Sequence, residues 1–556
     1  MTRRLHLLAA FLPLVLLFSG CGGEGGTTPD VFPGEIVPPD GETRDLSPRD
    51  SVGPDDRVEV PGDVDVVSEL RGEETENPAD LDVHPGEVVF SDLVAVHNEA
   101  VGLAAVITFH TDRPALGSVV VEGDGLEAGV VESGAEVPGL DHQVWVMGLP
   151  ADQEVLFRAR AVIDGDAEIS EASASLQTGT LPEDFPEFLA TASAPGSIQS
   201  GLTLLSLHTT SLSDPGAPSP DFDPALVIVD GEGRVVWYSR WPAADTLLGY
   251  TLLGDGTLGI LTGVGLTVMN LKGERLLELS VAELGLEAPL HHDLAVLPNG
   301  NYLSLTSAVR PSTNPETPDV MISADVVVEF APDGEQVNWW PIEGLLPEIP
   351  EGIEEGFGTQ DTVFSLYNSN SITYDAADDG VIVGLEHTGQ VVKFGRDDGE
   401  LRWILGSGGT LELDGEGDWF SHTHGLCLAQ NGNLLLYDNG DPEALKASGV
   451  HEYSVIPDPV GPGGVAHEVW TLETAFFSPA MGNVQELENG NRLICHGFKI
   501  VGLQDFSVQA TIVEVTPAQD PETVFELTMP PQVQSEVETG FLIYRAYRIP
   551  GLYPWL

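Results

Sequence analysis

The chain has 556 residues and sets 22 Lys and Arg against 88 Asp and Glu, a formal charge of −66. So acidic a surface repels nucleic acid and anionic lipid headgroups, which excludes nucleic-acid binding and favours solubility in a wet, salty place. The length allows more than one domain and a large core, and three cysteines are too few for a disulfide framework.

Residues 1–20 read as an export signal. Arg3 and Arg4 make a short basic start, and Leu7 to Phe18 is an apolar run too short to span a bilayer. The run ends in Leu17-Phe18-Ser19-Gly20-Cys21, which resembles the bacterial lipobox. That resemblance implies cleavage before Cys21 and lipidation of its thiol. Gly22, in place of an aspartate, implies sorting to the outer membrane, on its periplasmic or its outer face. No later stretch is long and apolar enough to span a membrane, so this lipid is the one anchor expected.

Residues 21–86 are rich in Pro, Gly, Asp and Glu and nearly lack aromatics. Such a segment buries too little apolar surface to offset chain entropy, and a disordered acidic linker is expected. From 87 to 180 short alternating runs take over, among them Ala104 to Phe109, Gly117 to Val121, His142 to Val146 and Val155 to Ala161. They predict a small β-sandwich. Gly148-Leu149-Pro150 followed by Leu156-Phe157 and Arg160 resembles a fibronectin type III domain, and a spacer or docking role follows.

The remainder, 190–556, repeats itself. Leu297-Pro298-Asn299-Gly300-Asn301, Ala429-Gln430-Asn431-Gly432-Asn433 and Leu487-Glu488-Asn489-Gly490-Asn491 each follow a strand, with looser copies at Gly254 to Leu258 and Ala377 to Val381. Between them run hairpins turned by Asp-Gly, as in Val227 to Trp237, Val326 to Trp339 and Val391 to Trp403. Asn-Gly and Asp-Gly supply the positive φ that tight hairpins need. The spacing predicts an all-β fold, a six-bladed β-propeller, with seven blades as the main competitor. Cys427 and Cys495 lie in strand-like runs and read as buried thiols, with one disulfide as the alternative in an oxidising compartment.

The histidines cluster by position. His291-His292-Asp293 opens one inner strand and Ser421-His422-Thr423-His424-Gly425 another. Loops from every blade converge where such strands begin, so these side chains can meet. Histidines that merely cap strand ends are an even match for any single one of them. His292, His422 and His424 around a metal are a further reading, since alternate strand residues face one way.

His292-Asp293 with Asn299-Gly300-Asn301, and Phe420-Ser421-His422-Thr423-His424 with Tyr437-Asp438-Asn439-Gly440, resemble the bacterial arylsulfotransferase family. Ser478 to Val484 and Tyr544-Arg545-Ala546-Tyr547-Arg548-Ile549-Pro550 strengthen the likeness, which covers about 200 to 556. It implies a six-bladed propeller that moves a sulfuryl group from an aryl sulfate donor to a phenolic acceptor. The route is a sulfated histidine, with no nucleotide donor, cofactor or metal. A neutral imidazole is nucleophilic near neutral pH and forms a labile sulfo adduct, so the chemistry suits histidine. By the resemblance His424 is the nucleophile and His292 a supporting group. His291, His422, His387 and Arg545 are further candidates for holding the sulfuryl oxygens.

Two positions depart from the family pattern. Asn368 stands two residues before Asn370-Ser371 where the family has histidine, and as a candidate catalytic residue it can still donate to a sulfuryl group through its amide. Glu386, beside His387, stands where it has arginine, and an ionised carboxylate there repels a sulfuryl group. Three outcomes follow from this: His387 or Arg545 substitutes, the substrate differs, or the propeller is a non-catalytic module that binds a ligand or partner.

Overall fold

The computed structural model describes residues 88–123, 129–132, 137–163, 165–213, 222–312, 321–346, 363–415, 417–442, 444, 446–502 and 506–553. The export signal, Cys21 and the linker expected over 21–86 lie outside the described residues. The regular secondary structure of the described residues is almost wholly β-strand.

Phe90 to Gln177 form a seven-stranded sheet folded over its own core. The fold-over is made by the 20-residue strand Ala104–Gly123. Its first half pairs with Phe90–His97 and Gly139–Met147, its second with Gly129–Glu132 and Glu154–Ile163. Between the halves the register slips from His110 to Ala115, around Pro114, which has no N–H to offer a ladder. Alternate side chains then point inward from both halves, and Ile107, Phe109, Val119, Val144, Val146 and Phe157 make one core. This module packs on the rest of the chain. The Gly102 N–H donates to Tyr238 O at 2.7 Å, and Val101, Ala104 and Met147 share a core with Leu204, Trp237 and Leu552.

Beyond it the strands form sheets of four, nine, four, five and six strands in a propeller-like arrangement. Meanders begin with the short strands Leu247–Leu252, His291–Val296, Ser369–Asp375, Thr423–Leu428 and Asn483–Glu486. Each of these touches the next, Asn483–Glu486 touches the last long strand Thr539–Ile549, and that strand touches Leu247–Leu252, which closes a ring. Thr539–Ile549 also pairs with Leu202–Ser211, and Leu189–Ala192 edges the sheet of Thr523–Thr528, so the two ends of the ring are interlocked.

The expectation of a six-bladed propeller from the sequence is not met. Two of these sheets have four strands, and of them only the one running from Ser369 to Gly406 is a plain meander in chain order. One parallel pair, Gly249 and His292, fuses two neighbouring meanders into the nine-stranded sheet, and the strands Leu411–Asp414 and Leu189–Ala192 add edges to two others. Gly249 permits the fusion because a Cβ there would lie 2.5 Å from His292 O.

The Asn-Gly-Asn repeat does more than turn the chain. The first Asn side chain accepts the N–H of the second, at 3.0 Å for Asn299–Asn301 and 2.9 Å for Asn431–Asn433, and Gly300 and Gly432 take positive φ. The second Asn then donates to a buried carboxylate: Asn301 to Glu329, Asn433 to Glu452 and Asn491 to Glu514. An arginine from the following sheet pairs with each, Arg396 with Glu329, Arg492 with Glu452 and Arg548 with Glu514. The repeat therefore clamps neighbouring sheets, each buried carboxylate being both paired and hydrogen-bonded, as burial demands.

Candidate functional site

The ring's inner strands are not regular. Their pairing slips between Leu247 and Gly249, His291 and Leu294, Ser369 and Ser371, His424 and Leu426, and Ile543 and Ala546. A bulge adds one residue and re-aims its side chain. His292 (φ 63°), Asn368 (φ 50°) and Met481 (φ 63°) take the left-handed conformation that side chains disfavour. Strain of this kind persists only where the surroundings enforce it. Here it falls at or just before the start of three of the ring's inner strands, where polar groups from distant parts of the chain come together.

His424 is held by its own bulge. Its Nδ1 donates to Gly482 O at 2.8 Å, which places the ring proton on Nδ1 and the lone pair on Nε2. Burial and the nearby Arg545 charge outweigh the Gly482 bond and Glu386, and push the imidazole down to about 3, so it is neutral at physiological pH. Gly425, next in sequence, has φ 54°, and a Cβ there would lie 2.6 Å from Asn483 Cβ. Only glycine lets the two strands approach this closely.

His292 and His291 face each other, Nδ1 to Nδ1, at 2.7 Å. One proton serves that bond. When it is on His291, the other hydrogen of His292 is on Nε2, a donor. Burial first, then the neighbouring His291, His424 and Arg545, hold His292 well below its ordinary value. The Tyr544 ring lies 5.6 Å from the His424 ring and 6.2 Å from that of His292, centroid to centroid, and its hydroxyl donates to His292 O at 3.1 Å. His208, which sequence reasoning missed, adds a third imidazole 6.3 Å from Tyr544, pushed down to about 4 by burial.

Arg545 lies in the same place, with both terminal nitrogens engaged and its Nε buried without a hydrogen-bond partner among the described residues. Its Nη1 is 2.7 Å from Asp293 Oδ1, and its Nη2 donates to Asn370 O at 2.8 Å. Asp293 also accepts from Thr251 Oγ1 and from the Ile372 N–H, so one carboxylate ties four strands of the ring. Neither Asp293 nor Tyr544 was given a role by sequence reasoning. The signal for Asp293 was its place directly after His292.

Glu386, expected to repel a sulfuryl group when ionised, is an ionised carboxylate matched by its neighbours. Glu386 Oε1 lies 3.1 Å from His422 Nδ1, and Oε2 lies 3.2 Å from both His387 Nε2 and the Asn368 amide nitrogen. Burial opposes the carboxylate's charge, but His387, His422 and Asn368 outweigh it and bring Glu386 to about 2. For His422, burial is likewise overcome, by Glu386 and then by Asp438 and Asp441, and the imidazole rises to about 9. Burial keeps His387 below its ordinary value, so His422 is the charged partner at neutral pH. The Asn368 amide, expected to donate to the sulfuryl group, donates to Glu386.

His424, His292, His291, Arg545, Asn368, His422 and His387 are thus brought together, in two connected parts. One is the imidazoles around Tyr544 with Arg545 and Asp293; the other is Glu386 with His422, His387 and Asn368. Each part balances a cation against an anion. Among the described residues no group of three or more His, Cys, Asp or Glu side chains is arranged to hold a metal ion. Cys427 and Cys495 are free thiols. A hollow of about 300 Å³ is lined by Trp419, Phe420 and Leu413, the two aromatics directly preceding Ser421 and His422.

Residues 191–540 match the sequence profile of a family described as Arylsulfotransferase (ASST). No curated protein matches the chain. Among solved structures, a protein of unknown function from Bacteroides caccae is 12% identical over 63% of this chain and 98% of its own, with a TM-score of 0.35. The periplasmic gluconolactonase PpgL of Pseudomonas aeruginosa is 14% identical over 62% of this chain and 100% of its own, with a TM-score of 0.33. The β-propeller domain of Myceliophteria thermophila Cps50 (Swd1) is 14% identical over 57% and 84%, with a TM-score of 0.31.

Proposed function

Because this chain belongs to the arylsulfotransferase family, we propose that it transfers a sulfuryl group from an aryl sulfate to a phenol through a sulfated His424. One observation carries the reading: the 2.8 Å bond from His424 Nδ1 to Gly482 O. It fixes the tautomer whose Nε2 lone pair can attack sulfur, and burial keeps that lone pair free of a proton. Attack forms an N–S bond and expels the donor's phenolate; an acceptor phenol then takes the group and restores the imidazole. No nucleotide donor, cofactor or metal enters either half.

The donors for the sulfuryl oxygens are His292 Nε2 and Arg545, whose charge Asp293 offsets. The site then stabilises developing charge with oriented dipoles more than with net charge. The second reading, a non-catalytic module that binds a ligand or partner, is favoured by the engagement of the Asn368 amide with Glu386. Sulfuryl transfer from 4-nitrophenyl sulfate to an added phenol separates the two. Sulfated acceptor formed in proportion to released nitrophenol supports the enzyme, and its absence supports the module.

The setting proposed from the sequence is the cell envelope. Lipid on Cys21 anchors the protein to the outer membrane, residues 21–86 act as an acidic tether, and the fibronectin-like module of 87–180 is a spacer. Cys21→Ala, with the protein then found in the soluble fraction, tests the anchor.

A further inference from the structure

Resting on the transfer reading above, we propose that His422, held by Glu386, is the proton carrier of both half-reactions. As imidazolium it gives a proton to the departing phenolate; as imidazole it takes the proton of the incoming phenol. The leaving O–S electron pair goes to the phenolate oxygen, which receives the His422 proton while His424 Nε2 bonds to sulfur. In the second half the acceptor oxygen bonds to sulfur, its proton returns to His422, and the N–S electron pair returns to His424. Protons and charge balance over the cycle.

The geometry points to His422 by its position and by elimination. Its Nδ1 faces two acceptors, Glu386 Oε1 at 3.1 Å and Glu386 O at 3.2 Å. That nitrogen therefore keeps its hydrogen, and Nε2, on the far side of the ring, is the one that exchanges a proton. The His422 side chain is 28% exposed, against 5% for Glu386, while His292 and His424 are each 5% exposed as residues. A ligand entering from solvent can reach it. The other groups beside His424 cannot do the same work. Arg545 is pinned to Asp293 and Asn370 and does not lose its proton. Burial holds His291, His292 and His424 neutral.

The charged surroundings of His422 come from two directions. Glu386 and His387 follow the strand Gly380–Leu385, and Asp438 ends the strand Leu434–Asp438. Asp438 accepts the N–H groups of Ser421 and His422 and is itself matched by Lys446 at 3.1 Å and His451 at 3.5 Å; Asp441 adds a further negative charge. Glu386 is thus a positioning residue whose charge keeps His422 protonated until a phenolate forms. A proton donor at about 9 is well matched to a phenol near 10.

The test is the dependence of transfer on the leaving phenol, measured on the full chain with aryl sulfates from 4-nitrophenyl to phenyl. His422→Gln keeps a donor towards Glu386 but carries no exchangeable ring proton. The expected result is a loss of roughly a hundredfold or more with phenyl sulfate, the range of general acid catalysis, and less than about tenfold with 4-nitrophenyl sulfate, whose phenolate needs little help. Glu386→Gln should move the alkaline limb of the kcat/KM profile down from near 9 by at least about one pH unit. An equal loss for every donor, or an alkaline limb unchanged in Glu386→Gln, overturns the assignment. Wild-type protein that transfers from no donor overturns the function itself, which is a distinct outcome.

Discussion

Arg545 Nη1 lies 2.7 Å from Asp293 Oδ1, a buried ion pair that joins the last strand of the ring to one 252 positions earlier. Asp293 also holds Thr251 and Ile372, so the carboxylate is a structural node as well as the counter-charge of the site.

Asp293→Ala strands the Arg545 guanidinium in a buried place, and breaking such a pair costs about 3–5 kcal/mol. Urea unfolding should show that loss. Asp293→Ala combined with Arg545→Met should recover part of it, since the unpaired charge goes too. A double variant less stable than the single one would mean that Arg545 is held mainly by Asn370.

Gly425→Ala places a Cβ against Asn483 in a left-handed position worth about 1–2 kcal/mol to a side chain. The ring should survive by far-UV circular dichroism, because the strain is local. Transfer should fall by about a hundredfold, the cost of misplacing a reacting group by about an ångström. Unaltered transfer would show that His424 does not depend on this bulge.

Stability should follow the Glu386–His422 pair with pH. His422 is raised from 6.5 to about 9, so its contribution is complete below about 6.5 and lost as pH climbs through 9. Glu386 is lowered from 4.5 to about 2, so its contribution is present above about 4.5 and lost as pH drops through 2. The pair contributes fully between about 4.5 and 6.5. Denaturation midpoints of wild type and His422→Asn should converge as pH rises from 6.5 to above 9; a constant gap across that range would remove the pair from the account.

The sequence made some of this legible and hid the rest for physical reasons. Turn chemistry is local, so Asn299-Gly300-Asn301 and its copies announced their hairpins. The second Asn of each copy binds a glutamate 19 to 28 positions away, which no turn rule contains. His291, His292, His422 and His424 were singled out because they stand at strand starts, where loops converge, and the roles given to His424 and His292 came from the family resemblance. Their orientations come from bulges that alternation does not signal. Glu386 looked repulsive because its neutralising partner, His422, lies 36 positions on and had been assigned another task. The fusion of two meanders through Gly249 and His292 rests on a single parallel pair, too little to leave a sequence mark.

The central claim is that His424 carries the sulfuryl group, and the most direct measurement is mass spectrometry of the protein quenched shortly after mixing with an aryl sulfate and no acceptor. The expected spectrum shows one sulfo group on the peptide containing His424, absent in His424→Ala, which should also lose transfer altogether while remaining folded. His292→Ala should keep the adduct and a rate lowered about a hundredfold to a thousandfold, as for loss of one oxyanion donor. A sulfo group on another residue, or full transfer by His424→Ala, would contradict the account.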